Sequence, residues 1–212
     1  AVDMDGDGDL DLIESKRPNY NREGISNILW INSGKGAFIN DSHLLGNTFY
    51  KDPYNYNGAT LGDIDNDGDL DILTFWGLGS FVEMHKNLSM EKYGIPDSID
   101  YEQVTYCWGR FAENDESNQL YLDTCLLSEG VNITLRDDLR HTGSTFLLLD
   151  LDGDFDKDLL LGDIDYPGLL ALINGGDLEE AHITEVDTLF PSVANPVQLF
   201  SMPAAAYIDV NN

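Results

Sequence analysis

Positive charge is scarce in this chain of 212 residues, which has 11 lysines and arginines against 39 aspartates and glutamates. The formal net charge is therefore −28 at pH 7. Binding to nucleic acid or to an anionic membrane surface depends on lysine and arginine side chains, so the composition argues against both kinds of partner. No apolar stretch approaches the roughly 18 residues that a membrane-spanning helix requires. We therefore expect no membrane insertion of this segment.

Recognised catalytic motifs are also missing. The sequence contains no G-x-S-x-G, no H-E-x-x-H and no glycine-rich phosphate loop followed by lysine. Its four histidines are scattered without metal-ligand spacing. Asp163 and Asp165 form the most suggestive carboxylate pair outside the acidic repeats described below. Because such pairs arise easily in so acidic a chain, we interpret them as outer metal ligands or turn caps, and we expect no enzymatic activity.

Helical periodicity is rare as well. No segment repeats apolar residues with a period of 3.6 over ten or more residues. We expect at most a helical turn at residues 89–93 and another at 178–181. Short apolar runs bounded by glycine, asparagine and proline are common instead, and such runs are typical of strands. The fold class is therefore predicted to be all-β.

A nine-residue acidic pattern occurs three times in the chain and begins a fourth time. The copies start at positions 3, 63, 150 and 209, at intervals of 60, 87 and 59 residues. Ca²⁺ takes about 6–8 oxygen ligands, and an acidic loop supplies them from alternate side chains and a backbone carbonyl. One copy alone is also explained by a solvated acidic turn, whereas three copies in register favour a metal. The predicted calcium residues are Asp3, Asp5, Asp7, Asp9, Asp11, Asp63, Asp65, Asp67, Asp69, Asp71, Asp150, Asp152, Asp154, Asp156, Asp158, and, in the truncated fourth loop, Asp209 and Asn211.

The third copy differs from the first two at one position. Phe155 stands where the other copies have Gly8 and Gly68, and glycine adopts a positive φ without the penalty that a Cβ brings. We therefore expect the third loop to bind calcium less well.

The spacing of the copies indicates a repeat array. Apolar runs precede and follow each acidic loop, which places the loop at a hairpin connection with a second hairpin after it. About four short strands per 60 residues are typical of a β-propeller blade. We predict that residues 1–212 form about three and a half blades of a larger, incomplete propeller. Because a propeller closes with about four to eight blades, we expect the chain to be an interior part of a longer protein.

The second repeat contains extra residues, which we assign to an insertion at 101–135. Both cysteines of the chain, Cys107 and Cys125, lie in it. In an exported protein an even cysteine count favours a disulfide, and two free thiols in a reducing compartment are the alternative. A second loop, residues 49–57, carries Tyr50, Tyr54 and Tyr56. These rings either pack in the core or face a sugar or protein.

The acidic loops and their flanks resemble the FG-GAP (VCBS-type) repeats of integrin α-subunit propellers and of their bacterial relatives. Gly58-Ala-Thr before Asp63 resembles the small-residue signature of that repeat. Cys107-Trp-Gly-Arg-Phe and Asn174-Gly-Gly are similar to the long secreted repeat proteins of Bacteroidetes, many of which use type IX secretion. In the integrin relatives the calcium loops lie on the face opposite the ligand.

The resemblance implies an extracellular or cell-surface propeller that is stabilised by Ca²⁺ and used for adhesion or for recognition of a protein or glycan ligand. Two alternatives stay open. The chain is an accessory propeller of a polysaccharide-degrading enzyme, or it is a type IX secretion cargo or a component of the surface assembly machinery.

Overall fold

The computed structural model describes residues 2–14, 27–46, 59–75, 80–114, 118–125 and 144–208. The tyrosine-rich loop at 49–57, Gly58 and the fourth acidic loop with Asp209 and Asn211 lie outside these residues. The chain divides into two compact units. Unit 1 comprises residues 1–78 and 82–106, and unit 2 comprises residues 79–81 and 107–212.

Unit 1 contains two antiparallel sheets whose strands pair in chain order. The three-stranded sheet consists of β1 (Leu12–Glu14), β2 (Ile28–Asn32) and β3 (Phe38–Asn40). The four-stranded sheet consists of β4 (Ala59–Gly62), β5 (Asp71–Phe75), β6 (Val82–Asn87) and β7 (Tyr101–Thr105). A 3-10 turn, Ser42–Leu45, follows β3, and the short helix α1, Ser89–Tyr93, follows β6.

Unit 2 contains a hairpin and a second four-stranded antiparallel sheet. The hairpin is formed by β8 (Phe111–Glu113) and β9 (Leu120–Leu122). The sheet is formed by β10 (Ser144–Leu149), β11 (Asp158–Asp163), β12 (Leu169–Asn174) and β13 (Ile183–Asp187), again in chain order. The all-β class is thereby confirmed. Among the described residues, no helix is long and apolar enough to cross a membrane.

The middle strands of the two four-stranded sheets are almost entirely buried, with apolar runs in β5, β11 and β12 and with polar residues in β6. Every residue of β5 is buried, and so are the leucines of β11. A strand covered on both faces needs no polar alternation, whereas the edge strand β7 alternates buried or half-buried residues with exposed ones. Its one fully buried ring, Tyr101, donates its hydroxyl hydrogen to the Leu70 carbonyl oxygen at 2.6 Å. This bond ties the edge strand to the end of the second acidic loop.

The core of unit 1 joins its two sheets. Met4, Leu29, Leu45, Ile72 and Tyr101 form one cluster of buried side chains. Fully burying an aliphatic side chain contributes about 1.5–3 kcal/mol, so this cluster holds the first acidic loop, through Met4, onto both sheets.

One predicted boundary and one predicted helical turn need correction. The predicted insertion at 101–135 begins with a regular strand, because Tyr101–Thr105 pairs with β6 as the fourth strand of its sheet. The extra residues therefore follow Thr105. The helical turn predicted at 178–181 is wrong, whereas that at 89–93 is confirmed as α1. At 178–181 the Asp177 carboxylate accepts the N–H groups of Glu179 and Glu180, which forms an Asx turn in competition with a helix.

Candidate metal sites

Each complete acidic pattern forms the connection of an antiparallel hairpin. Loop 1 (residues 3–11) is closed by a β-bridge between Val2 and Asp11. Loop 2 (63–71) joins β4 to β5, and loop 3 (150–158) joins β10 to β11. The ninth residue of each loop pairs with the residue before the first, as in the pairs Gly62–Asp71 and Leu149–Asp158. The predicted position of the loops at hairpin connections is therefore correct.

The first aspartate of a loop folds the backbone around its own side chain. In loop 1 the Asp3 carboxylate accepts the N–H groups of Gly6 and Gly8, at 2.8 and 2.9 Å. In loop 3 Asp150 does the same for Gly153 and Phe155, at 2.7 and 3.2 Å. Both loops thus place their fourth and sixth residues around one carboxylate.

Left-handed backbone at the fourth and sixth positions permits this fold. The sixth residues, Gly8, Gly68 and Phe155, have φ values of 91°, 104° and 81°. Phe155 therefore adopts the same left-handed conformation as the glycines and, like Gly8, donates its N–H to the first aspartate of its loop. Because it has a Cβ, this conformation is strained at Phe155. Its side chain is 75% exposed.

The ninth aspartate of each loop is fully buried and pins two segments of backbone. In loop 1 both oxygens of Asp11 accept N–H groups at 2.8 Å, one from Met4 in the loop and one from Asn32 at the end of β2. The same pair of bonds recurs in the other two loops. Asp71 accepts from Ile64 and Asn87, and Asp158 accepts from Leu151 and Asn174.

The asparagine that ends the following strand belongs to the same hydrogen-bond arrangement. This role of the asparagine was not predicted from the sequence. Asn32, Asn87 and Asn174 each donate their backbone N–H to the ninth aspartate, and each uses its side-chain oxygen to accept an N–H group of the next segment. The signal available in the sequence was an asparagine at the end of the third apolar run of each repeat.

Carboxylate oxygens converge in all three loops. In each group one oxygen from each of three residues lies within 4.8 Å of the others. Most of the predicted ligands of the three described loops are thereby brought together. The fifth and seventh residues of loops 1 and 3 and the ninth residue of loop 2 are outside the groups: Asp7, Asp9, Asp154, Asp156 and Asp71. The Asp9 carboxylate lies against Gly34 instead, where a Cβ would come within 2.7 Å of its Oδ2. The three groups are Asp3, Asp5 and Asp11; Asp63, Asp65 and Asp67; and Asp150, Asp152 and Asp158.

The donor set fits a hard cation. Several buried carboxylate oxygens in the loops accept no hydrogen bond among the described residues, including Asp63 Oδ1, Asp69 Oδ1 and Asp156 Oδ1. Burial raises the pKa of Asp69 to about 6, that of Asp156 to about 6 and that of Asp71 to about 8. Leaving buried carboxylates ionised side by side is unfavourable, and a divalent cation with oxygen ligands removes that penalty.

Lys86 of β6 brings a positive charge against loop 2, which could not be read from the sequence. The Lys86 ammonium forms ion pairs with Asp65 and with Glu91 of α1, and it lies 3.9 Å from Asp67 Oδ2. Glu91, Asp67 and Asp69 also form a second group of converging carboxylates. Asp69 is fixed in this group because its Oδ2 accepts the Met90 N–H at 3.0 Å. Loop 2 is thus linked to β6 through Lys86 and to α1 through Met90.

A buried polar network lies on the neighbouring strands of unit 1. Glu83 Oε1 is 3.0 Å from His85 Nε2, and both side chains are fully buried. Gln103 on β7 donates to the other Glu83 oxygen at 2.7 Å. The network links β6 to β7 and uses the histidine as a structural hydrogen-bonding group.

Cys107 and Cys125 are joined by a disulfide at the base of the β8–β9 hairpin, with Cα atoms 5.8 Å apart. Two further contacts hold this hairpin to the turn before β13. Arg110 pairs with Glu180, and His182 Nε2 lies 2.7 Å from Asp123 Oδ1. The disulfide therefore closes the hairpin, and two side-chain contacts hold it to the rest of unit 2.

The carboxylate pair Asp163 and Asp165 lies in a turn after β11. Asp163 Oδ1 accepts the Asp165 N–H at 2.6 Å, the arrangement of an Asx turn. Asp163 therefore caps this turn.

Residues 2–74 match the family model of the FG-GAP-like repeat. The matched segment spans loops 1 and 2 and the hairpins that contain them. The comparison supports the FG-GAP repeat family for this part of the chain. No curated protein matches the chain.

Proposed function

We propose that this chain is part of a calcium-stabilised β-propeller that acts outside the cell by recognising a protein or a glycan, without catalysis. The observation that carries the proposal is the recurrence of one carboxylate arrangement at three hairpins, each pinned by a buried aspartate to the next strand. FG-GAP repeats occur in adhesion and ligand-binding propeller domains. Four-stranded antiparallel sheets paired in chain order, present in both units, are the sheets from which propellers are built.

Calcium is the cation that fits best. All donors in the loops are oxygens, and extracellular modules of this kind function with affinities of about 10⁻⁴–10⁻³ M. Bound Ca²⁺ supplies the charge that the clustered carboxylates lack. The ligand residues themselves orient the loop, since they accept its backbone N–H groups.

Calorimetric titration and native mass spectrometry test the metal directly. We expect three calcium ions per chain and, because a ligand of the native state stabilises it by mass action, a lower melting temperature in excess chelator. A melting curve that chelator leaves unchanged would contradict structural calcium.

Recognition is assigned to the disulfide-linked hairpin rather than to the metal loops. The hairpin lies in the part of the chain that exceeds the ordinary repeat length, and long excursions on rigid scaffolds commonly carry function. Its two strands differ. Every residue of β8 is buried, whereas on β9 Tyr121 is 44% exposed. The outer strand β9, with its exposed aromatic ring, is the part available for a ligand.

The burial of β8 determines how the hairpin should be tested. Deleting residues 108–124 removes core side chains of unit 2, so loss of binding after this deletion is not informative. Tyr121→Ser leaves the buried side chains of β8 in place and removes the exposed ring, together with the hydrogen bond that its hydroxyl accepts from Asn114. Tyr207→Ser, at a ring that is 74% exposed in the same unit, is the matched control.

The experiment is a screen of the calcium-loaded protein against surface glycans and extracellular matrix proteins. We expect Tyr121→Ser to weaken binding to the ligand found and Tyr207→Ser to leave it unchanged. Equal binding by wild type and Tyr121→Ser removes the hairpin from the proposal. Turnover of any polysaccharide overturns the non-catalytic function.

Export is the remaining part of the proposal. It is supported by the Cys107–Cys125 disulfide, since structural disulfides persist in oxidising compartments. Transport by the type IX route predicts a C-terminal sorting domain in the full-length protein, and the gene sequence checks this.

A further inference from the structure

The residue before the strand-ending asparagine differs among the three repeats. Asn32, Asn87 and Asn174 occupy equivalent places, because each donates its N–H to the ninth aspartate of its loop. The preceding residue is Ile31 in the first repeat and Ile173 in the third, but Lys86 in the second. Only the second repeat therefore has a charge at this position.

The Lys86 ammonium lies among the carboxylates that would hold a cation in loop 2. It pairs with Asp65 and lies 3.9 Å from Asp67 Oδ2, and these two residues belong to the converging group of that loop. The lysine side chain is 24% exposed, and those of Asp65 and Asp67 are 12% and 22% exposed. Solvent therefore screens this ion pair less than one at an open surface.

Glu91 gives the ammonium a second partner outside the loop. It lies on α1, pairs with Lys86, and is 39% exposed. Lys86 thus lies between the third residue of loop 2 and a carboxylate that is not part of the nine-residue pattern. A cation bound at Asp65 would therefore compete with the ammonium, for which Glu91 is the other partner.

We propose that Lys86 is a built-in counter-ion of loop 2, which competes with calcium so that this loop binds the metal more weakly than loop 1 of the same unit. This inference rests on the proposed calcium function. It divides the calcium response of unit 1 into two stages, with loop 1 filled at low calcium and loop 2 filled at higher concentration.

The test is calorimetric titration of the full chain with Ca²⁺ for the wild type and for Lys86→Met. Removing a positive charge a few ångströms from a divalent ion is expected to tighten binding by about tenfold or more. Lys86→Arg keeps the charge and should leave the affinity within about twofold of wild type on the same electrostatic argument. If Lys86→Met fails to fold, as judged by circular dichroism, Lys86→Gln removes the charge with a polar side chain and serves instead.

Lys92→Met, on the neighbouring helix α1, is the matched control for loss of a positive charge. Lys92 pairs with Asp100 at 2.8 Å and has no contact with the loop among its described ion pairs. Its substitution should not change the affinity of loop 2. Adding Asp65→Asn to Lys86→Met should abolish the tightened site, which assigns that site to loop 2.

A double-mutant cycle with Glu91→Gln separates a partner of Lys86 from a metal ligand. If Glu91 acts by drawing the ammonium away, Glu91→Gln weakens calcium binding in the wild type and has little effect in the Lys86→Met background. An equal loss in both backgrounds overturns this role and makes Glu91 a ligand.

The two levels of the proposal fail differently. If loop 1 binds calcium and Lys86→Met leaves every affinity within about twofold, against the electrostatic expectation, the counter-ion inference is wrong while the calcium function stands. If neither wild type nor Lys86→Met binds millimolar calcium, the proposed function is wrong and the inference falls with it.

Discussion

Replacing Asp11 with asparagine should destabilise unit 1 even when no metal is present. Both Asp11 oxygens are buried acceptors, one for the Met4 N–H and one for the Asn32 N–H. The asparagine amide retains one acceptor oxygen and turns an NH₂ group towards the other N–H. The loss of a charge-assisted hydrogen bond and the orphaned donor together cost about 2–3 kcal/mol. For a unit of this size that corresponds to a fall in melting temperature of about 9–14 °C.

Asp7→Asn is the matched control, because Asp7 lies in the same loop but is exposed. Its Oδ1 accepts the Asp9 N–H at 2.8 Å, and an asparagine oxygen accepts the same bond. In chelator this variant should therefore melt with the wild type. In calcium it should melt lower, since a charged ligand has been replaced by a neutral one.

Thermal melting of both variants, with calcium and with chelator, separates the pinning role from the metal role. The reasoning is refuted if Asp11→Asn in chelator melts within about 2 °C of wild type, far less than the predicted cost implies. It is also refuted if Asp7→Asn lowers the melting temperature equally under both conditions.

Three further predictions concern the other loops and the hairpin. Burial raises the pKa of Asp71 to about 8 and that of Asp69 to about 6 from 3.8, so the native state holds these protons more tightly than the unfolded state does. In chelator, the stability of the protein should therefore fall as pH rises from about 4 to about 8. In calcium the stability should rise over the same range, because the metal binds ionised ligands. Melting curves at both ends of the range, with and without calcium, check this. Phe155→Gly should be about 1 kcal/mol more stable than Phe155→Ala in denaturant unfolding, because only glycine removes the strain of the positive φ; equal stability would contradict this. Thiol alkylation without reductant should label neither Cys107 nor Cys125, and labelling of both would exclude the disulfide.

The positions of the loops could be predicted from the sequence because their information is local. Alternating aspartates with glycine at the fourth or sixth position specify a tight turn within nine residues, and apolar runs on either side specify the hairpin. Phe155 was identified for the same reason, since the pattern places it where the other loops have Gly8 and Gly68.

The remaining features depend on pairing between distant segments. The bond from Asp71 to the Asn87 N–H spans 16 residues, and the contact of Lys86 with Asp65 depends on the register of β6 beside β5. The periodicity of a single segment predicts neither this hydrogen bond nor this ion pair. The boundary of the insertion was misplaced because β7, an edge strand with only Tyr101 fully buried, has little of the apolar character that identifies a strand.

The bond between the ninth aspartate and the strand-ending asparagine has an evolutionary consequence. The two residues are 21 positions apart in the first repeat and 16 in the second and third, so every such bond begins and ends inside one sheet. A repeat can then be duplicated, lost or followed by new sequence without breaking its own aspartate–asparagine bond. In the second repeat the residues that exceed the other intervals, with Cys107–Cys125 among them, follow β7, and the Asp71–Asn87 bond has the same spacing as its counterpart in the third repeat. Units fastened internally in this way are the material from which arrays of different lengths evolve.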